Sequence, residues 1–74
     1  MTKHAAIKLI QCYVRCDKET ASKMLEAKHN GYIFNGNTYI VLCVSSDTLE
    51  IYESGLLFCR VNAKNEVSYC RETK

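Results

Sequence analysis

The stretch Gly31-Tyr32-Ile33-Phe34-Asn35-Gly36-Asn37-Thr38-Tyr39-Ile40-Val41-Leu42-Cys43-Val44 decides the fold. It sets Asn35-Gly36 between two runs of apolar, β-branched and aromatic residues, which is the strongest short-range signal for a β-hairpin. A type I′ turn needs a positive φ at both central residues, and Asn-Gly adopts that conformation at low cost. The stretch therefore predicts a two-residue hairpin loop with Tyr32 opposite Tyr39, and the rest of the chain must extend or cover this sheet.

Three more strands are predicted downstream, separated by turns at residues 45–48, 53–56 and 62–65. A frayed tail is expected at residues 72–74. The predicted register places Leu49 opposite Val44, on the face that we expect to form the core. That face is predicted to carry also Ile33, Thr38, Ile40, Leu42 and Tyr69. The opposite face is predicted to carry Tyr32, Phe34, Tyr39, Val41, Cys43, Tyr52, Leu57, Cys59 and Val61.

Residues 7–16 are open to two interpretations, because their apolar side chains fit both a strand and the stripe of a helix. A strand would place Ile10, Cys12 and Val14 on one face. The richness of the segment in Ile, Val, Tyr and Cys favours a strand. Asp17 then follows as a helix N-cap, with no Gly or Asn before it to end an earlier helix. We therefore predict a strand here.

The segment 18–29 predicts a helix, since Asp17 can accept hydrogen bonds from first-turn amides and Asn30-Gly31 provides a stop. Its narrow apolar stripe includes Met24 and suits packing against one face of a sheet. The predicted fold class is α+β. A small antiparallel sheet of four to six strands, in β-α-β-β-β-β order, has one helix packed on one face, and residues 1–74 form a single domain.

Composition narrows the class of protein. The 74 residues are 47% hydrophobic and 24% charged, and they include no proline. The net charge of +2 is too small to indicate nucleic acid or an anionic membrane as a partner. The five cysteines are odd in number, and no apolar leader or bilayer-spanning run accompanies them. We expect a cytoplasmic protein, without a membrane partner, whose reduced thiols pack as small hydrophobic groups.

The positions of the cysteines and histidines offer two candidate chemistries, metal binding and nucleophilic catalysis. Cys12 and Cys16 could bind a metal ion together with His4 or His29. Structural zinc sites use two close pairs of ligands, however, and the other cysteines of this chain occur singly. A cysteine nucleophile needs a base beside it, and neither histidine can be assigned to a thiol from the sequence. We therefore predict no metal, no cofactor and no enzymatic activity.

A single helix can cover only one of the two faces of the predicted sheet. The uncovered face could close into a small barrel, form a homodimer, or bind a different protein. We predict a protein-binding module that acts by steric occlusion of a host protein or a second copy. The predicted contact residues are Tyr32, Tyr39, Val41, Tyr52 and Leu57, with aromatic side chains as anchors.

The alternative is a nucleic-acid-binding module whose sheet tyrosines stack on unpaired bases, with Lys8, Arg15 and Arg60 as neighbouring cations. The chain lacks the Gly-Phe-rich run typical of RNA-recognition sheets, which weighs against this alternative. In size, absence of proline and lack of catalytic groups, the chain resembles small accessory proteins of mobile elements, such as phage-encoded inhibitors of host systems. That resemblance, which involves no shared motif, implies an inhibitor that occupies its target without chemistry.

Overall fold

The computed structural model describes residues 1–71, which form two helices followed by a five-stranded antiparallel sheet. The helices are α1 (Lys3–Val14) and α2 (Lys18–Ala27), with a 3₁₀ turn at Lys28–Asn30. The strands are β1 (Tyr32–Phe34), β2 (Asn37–Ser45), β3 (Thr48–Glu53), β4 (Leu56–Asn62) and β5 (Val67–Cys70). Their order in the sheet follows the chain. The α+β class is confirmed, but the predicted β-α-β-β-β-β order is wrong, and the predicted tail at residues 72–74 lies outside the described part.

The hairpin prediction is confirmed residue by residue. Tyr32 lies opposite Tyr39, and the inner pairs follow without a register shift. Asn35 and Gly36 have φ values of 52° and 81°, as a turn with two left-handed central residues requires.

The N-terminal segment is a helix, so the strand predicted for residues 7–16 is wrong. Thr2 caps α1, since its Oγ1 accepts a hydrogen bond from the Ala5 amide at 3.1 Å. The helix ends without Gly or Asn, because Arg15 itself adopts the left-handed conformation with φ of 63°. The Arg15 N–H then donates to the Gln11 carbonyl and satisfies a last-turn acceptor. This C-cap allows a second helix to begin almost at once.

The second helix confirms the predicted N-cap, because Asp17 Oδ1 accepts a hydrogen bond from the Thr20 amide at 2.7 Å. The two helices pack against each other and are joined by an ion pair between Lys3 Nζ and Glu26 Oε2 at 3.4 Å. Two helices, and not the single one predicted, therefore provide the layer that covers the sheet.

The register between β2 and β3 decides which face the helices cover. A bulge at Val44 shifts the pairing, so that Leu49 lies opposite Cys43 and Ile51 lies opposite Val41. Because side chains alternate between faces, a shift of one residue moves Leu49 and Ile51 to the other side of the sheet. The prediction of which sheet face forms the core is therefore wrong, because the helices cover the opposite face.

The core lies between the helices and the face of the sheet that carries Val41, Leu49 and Ile51. Its largest fully buried side chains are Ile10, Met24, Leu49, Ile51, Val41, Val61 and Cys59. Among residues 1–71, no helix has the length and apolar character needed to cross a bilayer.

Candidate interaction surface

The sheet has a second face, opposite the one that packs on the helices. Three cross-strand rows lie on it, since residues directly opposite in an antiparallel ladder share a face. We call this surface the open face, and it consists of Ile33 and Thr38 in one row, Ile40, Tyr52 and Leu57 in the next, and Leu42, Glu50, Arg60 and Tyr69 in the third.

The open face is largely apolar and is not covered by the helices. Ile33 is 73% exposed and Tyr69 is 45% exposed, while four further aliphatic or aromatic side chains of this face are half-buried. Those four are Ile40, Leu42, Tyr52 and Leu57. Scattered exposed apolar residues are ordinary, but a contiguous patch on a small monomer is characteristic of an interaction surface.

A carboxylate lies near the middle of this apolar face and is fully hydrogen-bonded. Glu50 is only 7% exposed. Its Oε1 accepts a hydrogen bond from the Tyr52 hydroxyl at 3.0 Å. Its Oε2 lies 2.7 Å from Nε and 2.6 Å from Nη2 of Arg60. Hydrogen bonding to Glu50, followed by burial, raises the pKa of Tyr52. The two charges neutralise each other, so the open face presents no unpaired carboxylate to a partner.

The five residues predicted as contacts do not form one surface. Tyr52 and Leu57 lie opposite each other on the open face. Tyr39 and Val41 face the helices instead and are 7% and 2% exposed, while Tyr32 is half-buried against the core. The physical reason is the bulge at Val44, which places Leu49 and Ile51 on the same face as Val41, so that α1 and α2 cover the face that was expected to be free.

Tyr39 has a structural role in this arrangement. Its hydroxyl donates to Glu53 Oε2 at 2.7 Å, and Glu53 Oε1 accepts from Arg71 Nη2 at 3.1 Å. The Arg71 guanidinium in turn lies 5.6 Å from the centre of the Phe58 ring. This chain of contacts links β2 and β3 to the residue that follows β5. Burial, and then the hydrogen bond to Glu53, raises the pKa of Tyr39 to about 12.

We expect the stability of the chain to fall at alkaline pH through Tyr39. Its folded-state pKa of about 12 lies above the ordinary 10.0. The contribution is therefore complete below pH 10.0 and is lost as the pH rises towards about 12. Denaturant unfolding across this window should show a falling free energy of unfolding, and Tyr39→Phe should flatten the decline. An unchanged alkaline slope in Tyr39→Phe would show that another group is responsible.

Five open-face residues were expected on the core side of the sheet, namely Ile33, Thr38, Ile40, Leu42 and Tyr69. The polar residues Glu50 and Arg60 mark the open face, and they are the signal that could have found it. That signal becomes visible only when the bulge at Val44 is included, since the bulge aligns Glu50 with Leu42.

The thiols do not behave as the uniform set of buried groups that was expected. Only Cys59 is buried, whereas Cys12, Cys43 and Cys70 are exposed. Cys43 and His29 line one shallow groove between β2 and the end of α2, and no hydrogen bond between their side chains is found within residues 1–71. That same part of the chain contains no group of three or more Cys, His, Asp or Glu side chains arranged to hold a metal ion.

Comparisons with protein-family models, curated proteins and solved structures give no match. The class of protein is therefore defined by its own geometry. It is a small α+β protein in which two helices cover one face of a five-stranded antiparallel meander and leave the other face open.

Proposed function

We propose that this chain is a small, non-enzymatic protein-binding module that docks its open face on another protein and blocks that surface sterically. The single observation that carries the proposal is the asymmetry of the sheet. The helices of the same chain cover the centre of one face, while the opposite face has no covering element in the part of the chain that the structure describes and retains Tyr52, Leu57 and the strongly exposed Ile33. Burying such an apolar face on a partner is favourable, and occlusion requires no reactive group.

The chemistry of the open face suits a protein partner. Aromatic anchors dominate the energetics of protein interfaces, and Tyr52 and Tyr69 supply them here, while Leu57 adds apolar area that a partner can bury. The Glu50–Arg60 pair already satisfies its own charges, so the partner need not supply a counter-ion. We expect the partner to be a host protein. The alternative partner is a second copy of this chain, which would form a homodimer through the open face.

A nucleic-acid-binding function is the second candidate, because Tyr52 and Tyr69 lie beside Arg60 on an open antiparallel sheet. Such a surface can stack unpaired bases. The distribution of charge opposes it. Residues 1–30 contain six Lys or Arg and three Asp or Glu, a sum of +3, and these residues form the helical layer. The open face carries one cation and one anion, and most of the cations belong to the helical layer, which packs on the opposite face of the sheet.

The test is affinity capture from lysate of the source cells with three tagged forms of the chain. The forms are the native sequence, Tyr52→Ser/Leu57→Ser on the open face, and the control Lys8→Ser/Lys18→Ser on exposed helical positions. We expect a discrete partner to be retained by the native and control forms. Its recovery should fall at least about tenfold with the open-face variant, which corresponds to about 1.4 kcal/mol of binding free energy.

Circular dichroism of all three forms establishes that each is folded. Equal recovery of partners by native chain and folded open-face variant would contradict the proposal. A labelled single-stranded oligonucleotide tests the alternative, which predicts binding that weakens steeply with salt and is lost in the open-face variant. Analytical sedimentation of the chain over a range of concentrations tests whether a second copy of the chain binds the open face.

A further inference from the structure

Two cysteines lie directly opposite each other on neighbouring strands. Cys59 of β4 is the register partner of Cys70 of β5, and both are free thiols. We propose that Cys59 and Cys70 are a site of reversible disulfide formation that fastens β5 to β4 when the chain meets a small-molecule disulfide. This inference is independent of the open face, because both thiols belong to the face of the sheet that carries Val61 and Val67.

The hydrogen bonds of the ladder define the geometry of the pair. The Arg71 N–H donates to the Phe58 carbonyl at 2.7 Å, one step beyond the cysteines. Antiparallel ladders alternate, so the Cys59–Cys70 pair is one that exchanges no backbone hydrogen bonds. Residues in such pairs have Cα atoms about 4.5 Å apart, with their side chains close together. Disulfides are compatible with Cα separations of roughly 4.4–6.8 Å, so no strand movement is needed for the bond to form.

The two thiols differ in accessibility, which orders the steps. Cys70 is exposed, while Cys59 is fully buried. Burial, and then the nearby thiols of Cys70 and Cys12, raises the pKa of Cys59 to about 12. Since the thiolate is the attacking species, the exposed Cys70 is the thiol that reacts first with an outside disulfide, and Cys59 reacts second and slowly.

The reaction balances with a disulfide RSSR as the oxidant. The Cys70 thiolate attacks one sulfur of RSSR, forms Cys70–S–S–R, and releases RS⁻, which takes the proton that Cys70 gave up. The Cys59 thiolate then attacks the Cys70 sulfur, releases the second RS⁻, and leaves the Cys59–Cys70 bond. Overall, two protein thiols are oxidised and RSSR is reduced to two RSH.

The bond would change the behaviour of the edge of the sheet. β5 is a four-residue edge strand, and all of its residues are exposed. A covalent link to the buried Cys59 would therefore suppress its opening. Because Cys70 is exposed, an outside thiol can attack the bond and reduce it, which suits a reversible modification.

The experiment uses the whole folded chain, incubated with oxidised glutathione and then alkylated and digested with a protease that cleaves after Glu. The sequence places Cys59 alone in fragment 54–66 and Cys70 alone in fragment 67–72, so a linked pair of these fragments identifies the bond. We expect this linked pair, with neither Cys59 nor Cys70 alkylated or carrying glutathione, whatever the state of the other exposed thiols. Ring closure should accelerate as the pH rises, because the Cys59 thiolate becomes more abundant.

Matched variants make the result specific. Cys70→Ser and Cys59→Ser should each abolish the linked pair, and Cys43→Ser should leave it unchanged. Persistent glutathionylated Cys70 with Cys59 still reduced would overturn the proposal, as would a dominant link from Cys70 to Cys12. Exchange of the β5 amides with deuterium, followed with and without reductant, should be slower in the oxidised form, and equal rates would contradict the fastening of the edge.

Discussion

Ile10→Ala is expected to lower the free energy of unfolding by about 2–5 kcal/mol, a large share of the stability of a domain this small. Ile10 is fully buried on α1, among the side chains that join the helices to the sheet. Truncation removes apolar contacts and leaves a cavity that the surrounding side chains fill only in part. Denaturant unfolding followed by circular dichroism measures the effect.

The matched control is Ile33→Ala, which makes the same chemical change on the open face. Ile33 is 73% exposed, so we expect its loss to cost less than about 1 kcal/mol, mainly through reduced β-propensity. Comparable losses in the two variants would contradict the assignment of one covered face and one open face. Ile10 belongs to α1, so the comparison also tests whether the N-terminal segment packs on the core.

The hairpin could be predicted from the sequence because its signal is local. Asn35-Gly36 determines the turn, and the turn determines the pairing of β1 with β2. Helix α2 was predictable for the same reason, since the Asp17 cap is adjacent to it. Helix α1 could not be predicted in this way. It ends at Arg15, which adopts a left-handed conformation that is usually found at Gly or Asn.

The face that remains open could not be predicted, because it depends on one inserted residue. The bulge at Val44 changes the partner of every later residue of β3, and nothing in the local sequence demands it. Tyr52 and Leu57 were identified as contact residues and lie on the open face, while Tyr39 and Val41 lie beneath the helices. The number of covering helices and the register of a single turn thus determine the candidate surface.

Arg60→Met is the second prediction with a large effect, and we expect it to lower the free energy of unfolding by about 1–3 kcal/mol. The variant leaves the carboxylate of Glu50, itself almost buried, without its cation. Breaking a fully buried ion pair costs about 3–5 kcal/mol, and the lower figure applies here because the Arg60 side chain is 45% exposed. Water can therefore reach part of the site and solvate the remaining charge.

The double variant Glu50→Leu/Arg60→Met completes a thermodynamic cycle. Removing both charges eliminates the unpaired carboxylate, so we expect the double variant to be more stable than Arg60→Met alone and close to the native chain. The single variant Glu50→Leu, together with the native chain, completes the set of four proteins that the cycle compares. If the effects of the two single variants simply add in the double variant, the pair does not interact, and the charge neutrality of the open face would need another explanation.

Hydroxyl-radical footprinting tests most directly whether the open face is the surface that binds the partner. The modification of each residue is compared between the free chain and the complex captured from source cells. In the free chain we predict that Tyr69, Leu57 and Ile33 are modified, while Tyr39 and Met24 are protected. In the complex, the three open-face residues should become protected and exposed helical residues such as Lys8 should keep their reactivity. Protection confined to the helical layer, with an open face that stays reactive in the complex, would contradict the account.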